Sequence, residues 1–279
     1  MTSPAVAPWK DLFVEHLQHV GPSSAEFALA TVTKDGAPRV RYCIHRGFWA
    51  SLPENPYNKL RKNAAIYDSD CPVFTTDARM NKVVDISASA RDSVSESGGG
   101  GLIEAVYFFK HAMTQWRIRG RCWFLAADDF EDAPLEHKSG AATVKAEVAR
   151  FMRRKGDGES QPVDWSWRLE VENQFENLSP EMRGSFKNPP PGQRVKDGHV
   201  GPGEGLGQQA GHLKDEALAR KNFRVAIITP DQVEQVDLSN ADEPKRLIWT
   251  RTEGREGREG RGPGASGPIM HWTMVEIWP

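Results

Sequence analysis

A β-type run at residues 39–47 carries three arginines and a histidine within eight positions, and it constrains the fold more than any other stretch. Its valine, tyrosine, cysteine and isoleucine suit a half-buried pleated surface. Residues 27–33 have the same character, and Asp35-Gly36 between the two runs supplies the positive φ that a tight turn needs. The pattern predicts a β-hairpin whose cationic strand holds an anion against a sheet.

The alternation of a regular strand decides which of these cations share a face. One face would carry Arg39, Arg41, Cys43 and His45, and the other would carry Val40, Tyr42, Ile44 and Arg46. Arg41 and Arg46 could therefore meet one ligand only through a β-bulge or a strong barrel twist. The alternative is that the arginines are solvated on an edge strand, because charged side chains mostly mark exposed surface.

The composition is typical of a soluble globular protein and excludes several classes of function. The chain has 279 residues, of which 38% are hydrophobic and 27% charged, and its net charge is −2. This balance gives no reason to expect nucleic acid or an anionic membrane as a partner, and no window approaches the roughly 20 apolar residues of a membrane span. The three cysteines form no CxxC pair and no zinc spacing, and the N-terminus lacks a secretory pattern. These features predict a reducing, cytoplasmic location.

Further β-type runs predict a barrel rather than a parallel sheet. Beyond the hairpin, strands are predicted at residues 71–76, 102–109, 115–125, 223–229, 233–238, 245–249 and 271–279, with a turn at residues 230–232. Helices are predicted at residues 8–17, 142–154 and 164–179. Strands that follow one another as hairpins favour a mainly β fold, a β-barrel with flanking helices.

Three segments are predicted to be irregular insertions within a single domain that spans residues 8–279. They are flexible insertions at about residues 87–101 and 189–215, and a disordered loop at about residues 252–267. The first contains four consecutive glycines but lacks the G-x-x-x-x-G-K-[ST] pattern, so no P-loop is predicted. His16 and His19 lie three apart on the first helix without a third ligand nearby, so no metal site is predicted either.

Six motifs, in this order, resemble the pyridoxamine 5'-phosphate oxidase-like, split-barrel FMN-binding family, in its FMN-binding-domain branch. They are residues 27–32 with the Asp35-Gly36 turn and Pro38, then residues 41–47, 74–82, 115–120, 177–183 and 222–224. The resemblance spans residues 8–279 apart from the insertions, and it implies an FMN-binding split barrel. Because members of this family usually hold FMN at a subunit interface, the resemblance also implies a homodimer.

The resemblance implies FMN contacts from the cationic strand, the Thr-Thr stretch and the strand after residue 114. The implied residues are Arg41, Tyr42, Cys43, Ile44, His45, Arg46, Thr75, Thr76, Arg79, Lys82 and Gln115. Arg41 and Arg46 would lie near the phosphate or the flavin edge, and Lys82 would pair with the phosphate. The chemistry agrees, because a phosphate dianion needs charge-assisted donors of this kind.

The resemblance further implies a flavin-dependent oxidoreductase with an unknown small-molecule substrate, and His45 and Arg183 are candidate substrate-side groups. True pyridoxamine-phosphate oxidases carry Ser-Arg-Lys where this chain has Met80-Asn81-Lys82, and their C-terminal Arg-x-His-Asp-Arg motif has no match here. Oxidation of pyridoxamine phosphate therefore does not follow from the fold. Two alternatives stay open: a non-catalytic protein that binds FMN or haem, and a barrel scaffold that binds no cofactor.

Overall fold

The computed structural model describes residues 6–21, 25–89, 96–127, 129, 140–155, 165–194, 213–253 and 270–279. Within these residues the α-helices are α1 (Lys10–Val20), α2 (Asn81–Ser89), α3 (Gly140–Ala149), α4 (Trp167–Glu176), α5 (Pro180–Ser185) and α6 (Leu213–Asn222). The strands are β1 (Glu26–Val32), β2 (Pro38–Phe48), β3 (Tyr67–Ser69), β4 (Pro72–Asp77), β5 (Gly98–Phe109), β6 (Thr114–Leu125), β7 (Met152–Arg154), β8 (Phe223–Asp237), β9 (Lys245–Glu253) and β10 (Met270–Ile277). Helix α1, the β1–β2 hairpin and helix α4 lie where the sequence predicts them.

Six antiparallel strands close into a barrel in the order β8, β4, β2, β1, β5 and β6, and β6 pairs back onto β8. Strands β9 and β10 extend the sheet beyond β8, and β3 pairs with β7 separately. The predicted fold class, a mainly β barrel with flanking helices, is confirmed. Among the described residues, every helix is too short or too polar to cross a membrane.

Two hydrophobic cores lie on the two sides of the barrel wall. Helix α1 packs against the barrel interior. The centroid of the Phe13 ring lies 5.0 Å from that of Tyr107 and 5.4 Å from that of Trp116. Outside the wall, α3 and α4 cover the other face of β4, β6 and β8. Consecutive residues of β8 are therefore buried in alternate cores, Ile227 in the outer and Ile228 in the inner. The assignment of one domain to residues 8–279 stays a prediction.

The predicted turn at residues 230–232 is wrong, because β8 continues through it from Phe223 to Asp237. Pro230 lies opposite Gly120, where the register between β6 and β8 shifts. A proline, which has no N–H to donate, is tolerated where a ladder is interrupted in this way. A Cβ on Gly120 would lie 2.1 Å from the carbonyl oxygen of Thr229, so glycine is required for the close approach of the two strands.

The glycines predicted to lie in a flexible insertion instead begin β5. Gly99 and Gly100 have φ of 106° and 87°, values that favour glycine, at a register shift between β5 and β6. A Cβ on Gly100 would lie 2.5 Å from the indole of Trp123, so the glycines let the strand lie against that ring.

The predicted insertion at residues 87–101 also overlaps α2, and the helix predicted to reach residue 154 ends at Ala149, before β7. Residues 90–95, 195–212 and 254–267 of the predicted insertions lie outside the described residues.

A histidine cluster joins α1 to the turn between β5 and β6. The buried indole Nε1 of Trp116 donates a hydrogen bond of 3.1 Å to Nδ1 of His16. The ring of His111 lies 5.9 Å from that of His16 and 4.6 Å from that of His19. Because Nδ1 of His16 accepts this bond, the neutral ring carries its proton on Nε2. No group of metal-binding side chains is found among the described residues.

We expect the docking of α1 to weaken as the pH falls. Burial and the neighbouring His111 lower the pKa of His16 below its ordinary value, although Glu15 and Asp237 oppose this. A group whose pKa is lowered in the folded state contributes stability that is lost as the pH falls. Protonation at Nδ1 would also leave the Trp116 N–H without its acceptor. Hydrogen exchange of α1 amides should accelerate between pH 7.5 and pH 5.5 beyond the intrinsic change, and His16→Asn, whose Oδ1 keeps the acceptor, should reduce this effect. Equal acceleration in both proteins would contradict the account.

Candidate functional site

An open cleft of about 530 Å³ lies where the first half of β2 faces the start of α2. It forms there because the pairing of β2 with β4 begins only at His45, so residues 38–44 pair with β1 on one side alone within the described residues. The cleft is lined by Thr33, Arg39, Arg41, Met80, Asn81, Lys82, Val84, Asp85, Pro191 and Gly192. Two of the predicted FMN residues, Arg41 and Lys82, thus lie in one cleft.

Arg41 is held in place by three hydrogen bonds, and these leave donors to spare. Its Nη1 donates to the Leu29 carbonyl oxygen at 3.2 Å and to Thr31 Oγ1 at 2.6 Å. Its Nη2 donates to Asp85 Oδ2 at 3.2 Å. A guanidinium has five N–H donors, so two remain for a ligand in the cleft. These three hydrogen bonds fix the orientation of the Arg41 guanidinium in the absence of a bound anion.

Lys82 is a mostly buried cation whose described partners are uncharged. Its Nζ donates to Thr76 Oγ1 at 3.1 Å and contacts the sulfur of Met80. One of the three ammonium donors therefore remains for the cleft. Burial lowers the pKa of Lys82. An anion beside Nζ would reverse this change, because an opposite charge favours the protonated form.

The cleft carries a net positive charge that fits a phosphate group. It contains the three cations Arg39, Arg41 and Lys82 and the single carboxylate of Asp85, a balance of +2. A phosphate monoester carries about −1.5 to −2 at neutral pH. The residues Met80, Asn81 and Lys82 also place the N-terminus of α2 at the cleft, and helix N-termini favour anions. The residues present therefore fit the phosphate of FMN.

A second group of predicted residues lies on the outer face of β2 and β4. His45 and Phe74 form a pair whose side chains face the barrel interior, so the adjacent residues Ile44 and Thr75 face the outer side. Ile44, Arg46 and Thr75 are all partly exposed, and Tyr42 is 77% exposed on the same face of β2. Burial lowers the pKa of Arg46. Arg41 and Arg46 stay on opposite faces, so no bulge brings them together.

Cys43 and His45 point into the barrel and away from both surfaces. His45 is fully buried, with Nδ1 3.3 Å from the hydroxyl of Tyr107, and its Nε2 has no hydrogen-bond partner among the described residues. Burial lowers the pKa of His45 to about 3, with a smaller contribution from Arg46. Burial also raises the pKa of the Cys43 thiol. Neither side chain lines the cleft, and the roles of Cys43 and His45 toward flavin or substrate stay predictions.

Three other predicted residues, Arg79, Arg183 and Gln115, do not line the cleft, and the two arginines form ion pairs within the chain. Arg79 forms an ion pair with Asp77 at 2.6 Å and donates to the Phe186 carbonyl oxygen. Arg183 forms an ion pair with Glu176 and does not line the cleft, and its role toward a substrate stays a prediction. Gln115 lies on β6 opposite Phe108 and Val236, and it does not line the cleft of its own chain.

Sequence reasoning missed the acidic member of the cleft. Asp85 accepts hydrogen bonds from Arg41 and from Thr31 Oγ1, the latter at 2.9 Å. It lies three residues after Lys82 on α2, so a helical assignment of residues 81–89 would have placed both side chains on one face. Pro191 and Gly192 were also missed, because the fold brings them to the cleft from more than 100 residues away.

Comparison with known proteins gives a match to a family model over the N-terminal part of the chain. Residues 6–126 match the family described as pyridoxamine 5'-phosphate oxidase, FMN-binding domain. The predicted family resemblance is confirmed. The matched segment runs from just before α1 to the end of β6, and it contains every predicted FMN residue.

The individual relatives are distant in sequence, with 20% identity or less. An uncharacterized protein of Saccharomyces cerevisiae is 20% identical over 303 aligned positions, which cover 90% of this chain and 95% of that protein. A pyridoxamine 5'-phosphate oxidase-related, FMN binding protein from Nostoc punctiforme PCC 73102 has a TM-score of 0.55 and 19% identity, covering 99% of this chain and 100% of that one. PhzG from Burkholderia lata 383 has a TM-score of 0.39 and 12% identity, covering 99% and 98%.

Proposed function

We propose that the protein binds FMN as a flavoprotein and acts as a flavin-dependent oxidoreductase on a small-molecule substrate. The observation that carries this proposal is the convergence of Arg41 and Lys82 on one net positive cleft beside the start of α2. Arg41 and Lys82 would hold the phosphate. Ile44, Arg46 and Thr75 on the adjoining outer face would hold the ring, since a flat ring needs an apolar wall and a few placed donors.

FMN would supply the transfer of two electrons between a donor and an acceptor. The protein would bind and orient the cofactor. Arg46 would place a positive charge beside the ring, where it favours the negative charge of a reduced flavin. Thr75 would offer a hydroxyl donor from the neighbouring strand. No side chain of the described cleft is assigned to a proton transfer with substrate.

The test of this proposal is a visible spectrum of the purified protein, loaded with FMN where necessary, followed by anaerobic addition of candidate donors. We expect a flavin band that bleaches with an amine or a reduced nicotinamide and returns on admission of oxygen. A bound flavin that stays oxidised with every donor would favour the non-catalytic alternative. A protein that takes up no flavin would contradict the proposal as a whole.

We also propose a homodimer that uses the outer face of β1, β2 and β5. Tyr42 and Val40 are 77% and 71% exposed there, and Phe108 is 54% exposed. The small side chains Ala28 and Ala30 pair with Tyr42 and Val40, which leaves a flat apolar strip between the strands. Exposed apolar patches of this kind mark protein interfaces. A second copy on this face could also supply donors, such as Gln115, that a single chain does not bring to the cleft.

We expect the double variant Tyr42→Asp/Phe108→Glu to be monomeric, because it buries two charges in the proposed interface. Light scattering coupled to gel filtration would measure the mass. Leu218→Glu is a matched control, since Leu218 is 46% exposed on α6, outside this strip. The proposal fails if the wild-type protein is already monomeric with FMN bound, or if the control variant dissociates equally.

We propose a cytoplasmic location, which the state of the cysteines supports. Cys43, Cys71 and Cys122 are all buried and free. Free, buried thiols suit a reducing compartment, where disulfides are rare. Cell fractionation with an antibody against the protein would test the assignment, and recovery in an extracellular or membrane fraction would contradict it.

A further inference from the structure

We infer that the cleft continues beyond the FMN phosphate to take a second phosphate, so that the site also accepts the diphosphate of FAD. The inference rests on the proposed function and extends it to a ligand class. It depends on Arg39, the cation of the cleft that the predicted FMN contacts do not use.

Arg39 lies two residues before Arg41 on β2, so their side chains share one face of the strand. Two strand residues correspond to about 7 Å, so the two guanidinium groups follow one another along the wall of the cleft. Arg41 is held by Leu29, Thr31 and Asp85. The side chain of Arg39 is exposed and makes no hydrogen bond or ion pair with any residue that the structure describes, although its charge acts on the nearby carboxylate of Asp35. All five of its N–H donors are therefore available to a ligand.

The size and lining of the cleft leave room for more than one phosphate. Its volume of about 530 Å³ is that of a whole small-molecule site, whereas the phosphate of FMN would occupy only the part near Arg41 and Lys82. Six of the ten lining residues carry polar or charged side chains, and these suit a sugar-phosphate chain. At the Pro191-Gly192 side, a Cβ on Gly192 would meet no atom within 4 Å, so the space there is open.

The three cations Arg39, Arg41 and Lys82 are spread along the cleft, and this spread favours a diphosphate over a single phosphate. A lone phosphate is already served by Arg41, Lys82 and the N-terminus of α2. The diphosphate of FAD divides its negative charge between two groups joined in a chain. Arg39 would meet the second of these groups, and the adenosine beyond it would lie at the open side formed by Thr33, Pro191 and Gly192.

The test compares the dissociation constants of FMN and FAD for the apoprotein of the wild type, Arg39→Gln and Lys34→Gln. Lys34 lies in the turn of the same hairpin but does not line the cleft, so it controls for a general loss of positive charge. We expect FAD to bind the wild type no more than about tenfold more weakly than FMN. We expect Arg39→Gln to weaken FAD by about tenfold, as for loss of a charged contact, and FMN by less than about twofold. Lys34→Gln should change both by less than about twofold.

The outcomes separate this inference from the proposed function. FMN binding with FAD more than about tenfold weaker, or an equal effect of Arg39→Gln on both flavins, would overturn the inference and leave FMN binding intact. An equal effect of Arg39→Gln and Lys34→Gln on FAD would also overturn it, since the contact would then be only general electrostatics. Failure of the wild type to bind either flavin would overturn both the inference and the proposed function.

Discussion

Replacement of Lys82 with methionine is expected to weaken FMN binding by about 10- to 100-fold, which corresponds to about 1.5–3 kcal/mol. Lys82 is 8% exposed, and its described hydrogen bonds go to uncharged groups, so a phosphate would be its principal counter-charge. Methionine keeps much of the apolar stem and removes the ammonium. Because a buried lysine without an anion is costly, the variant should fold at least as well as the wild type.

Fluorescence titration of the apoprotein with FMN measures this effect, and Lys59→Met serves as a control with the same change of charge at an exposed site. We expect the control to bind FMN within about twofold of the wild type, since single exposed charges contribute little. Equal weakening in the two variants, or full affinity in Lys82→Met, would show that Lys82 does not contact the phosphate.

Arg41 needs a different design because it also neutralises a buried carboxylate. Arg41→Ala would remove a phosphate contact and would leave Asp85, which is 7% exposed, without its cation. An uncompensated buried charge destabilises the fold, so a loss of affinity in that variant is ambiguous. The double variant Arg41→Ala/Asp85→Asn removes both charges, and its affinity for FMN is the informative quantity.

The second large effect is an acid-induced loss of stability through His45. The folded protein holds this side chain neutral, with a pKa lowered by burial to about 3, whereas the ordinary pKa of histidine is about 6.5. Below pH 6.5 the unfolded chain takes up a proton that the folded chain excludes, so the free energy of unfolding falls as the pH falls. The free energy of unfolding falls by about 1.4 kcal/mol for each pH unit between the ordinary pKa and the folded-state pKa of His45. The loss is complete near pH 3 and amounts to about 5 kcal/mol.

Chemical denaturation of the wild type and of His45→Gln between pH 7 and pH 3 would isolate this contribution. Glutamine does not titrate, and its amide can still meet the hydroxyl of Tyr107. Both proteins will lose stability as carboxylates such as Asp68 are protonated, since its ion pairs with Lys10 and Arg153 favour the charged form. The wild type should lose several kcal/mol more than the variant. Parallel pH profiles would show that His45 is not held neutral by the barrel interior.

The sequence predicts those features that depend on local chemistry. The Asp35-Gly36 turn and its two β-type runs indicate the β1–β2 hairpin directly. The order of the motifs predicts that Arg41 and Lys82 both contact the phosphate of FMN. The alternation of β2 also places Arg41 and Arg46 on opposite faces, as the structure shows. In each case neighbouring residues carry the information.

The features that were missed depend on contacts between distant segments. Pro230 signals a turn locally, but β6 holds β8 continuous on both sides of it. Four glycines signal a loop, but the indole of Trp123 lies against them and makes them part of β5. Asp85 meets Arg41 across 44 residues of sequence. Such pairings follow from barrel closure, which no single stretch of the sequence reveals.

The most direct test of the central claim, that Arg41 and Lys82 hold the phosphate of FMN, is to compare FMN with riboflavin. The two ligands share the ring and the ribityl chain and differ only in the phosphate. The wild type should bind FMN at least about 100-fold more tightly than riboflavin, as expected for two charged contacts, and Lys82→Met should lose most of that preference. Equal affinities of the wild type for FMN and riboflavin would contradict the assignment of the cleft as a phosphate site.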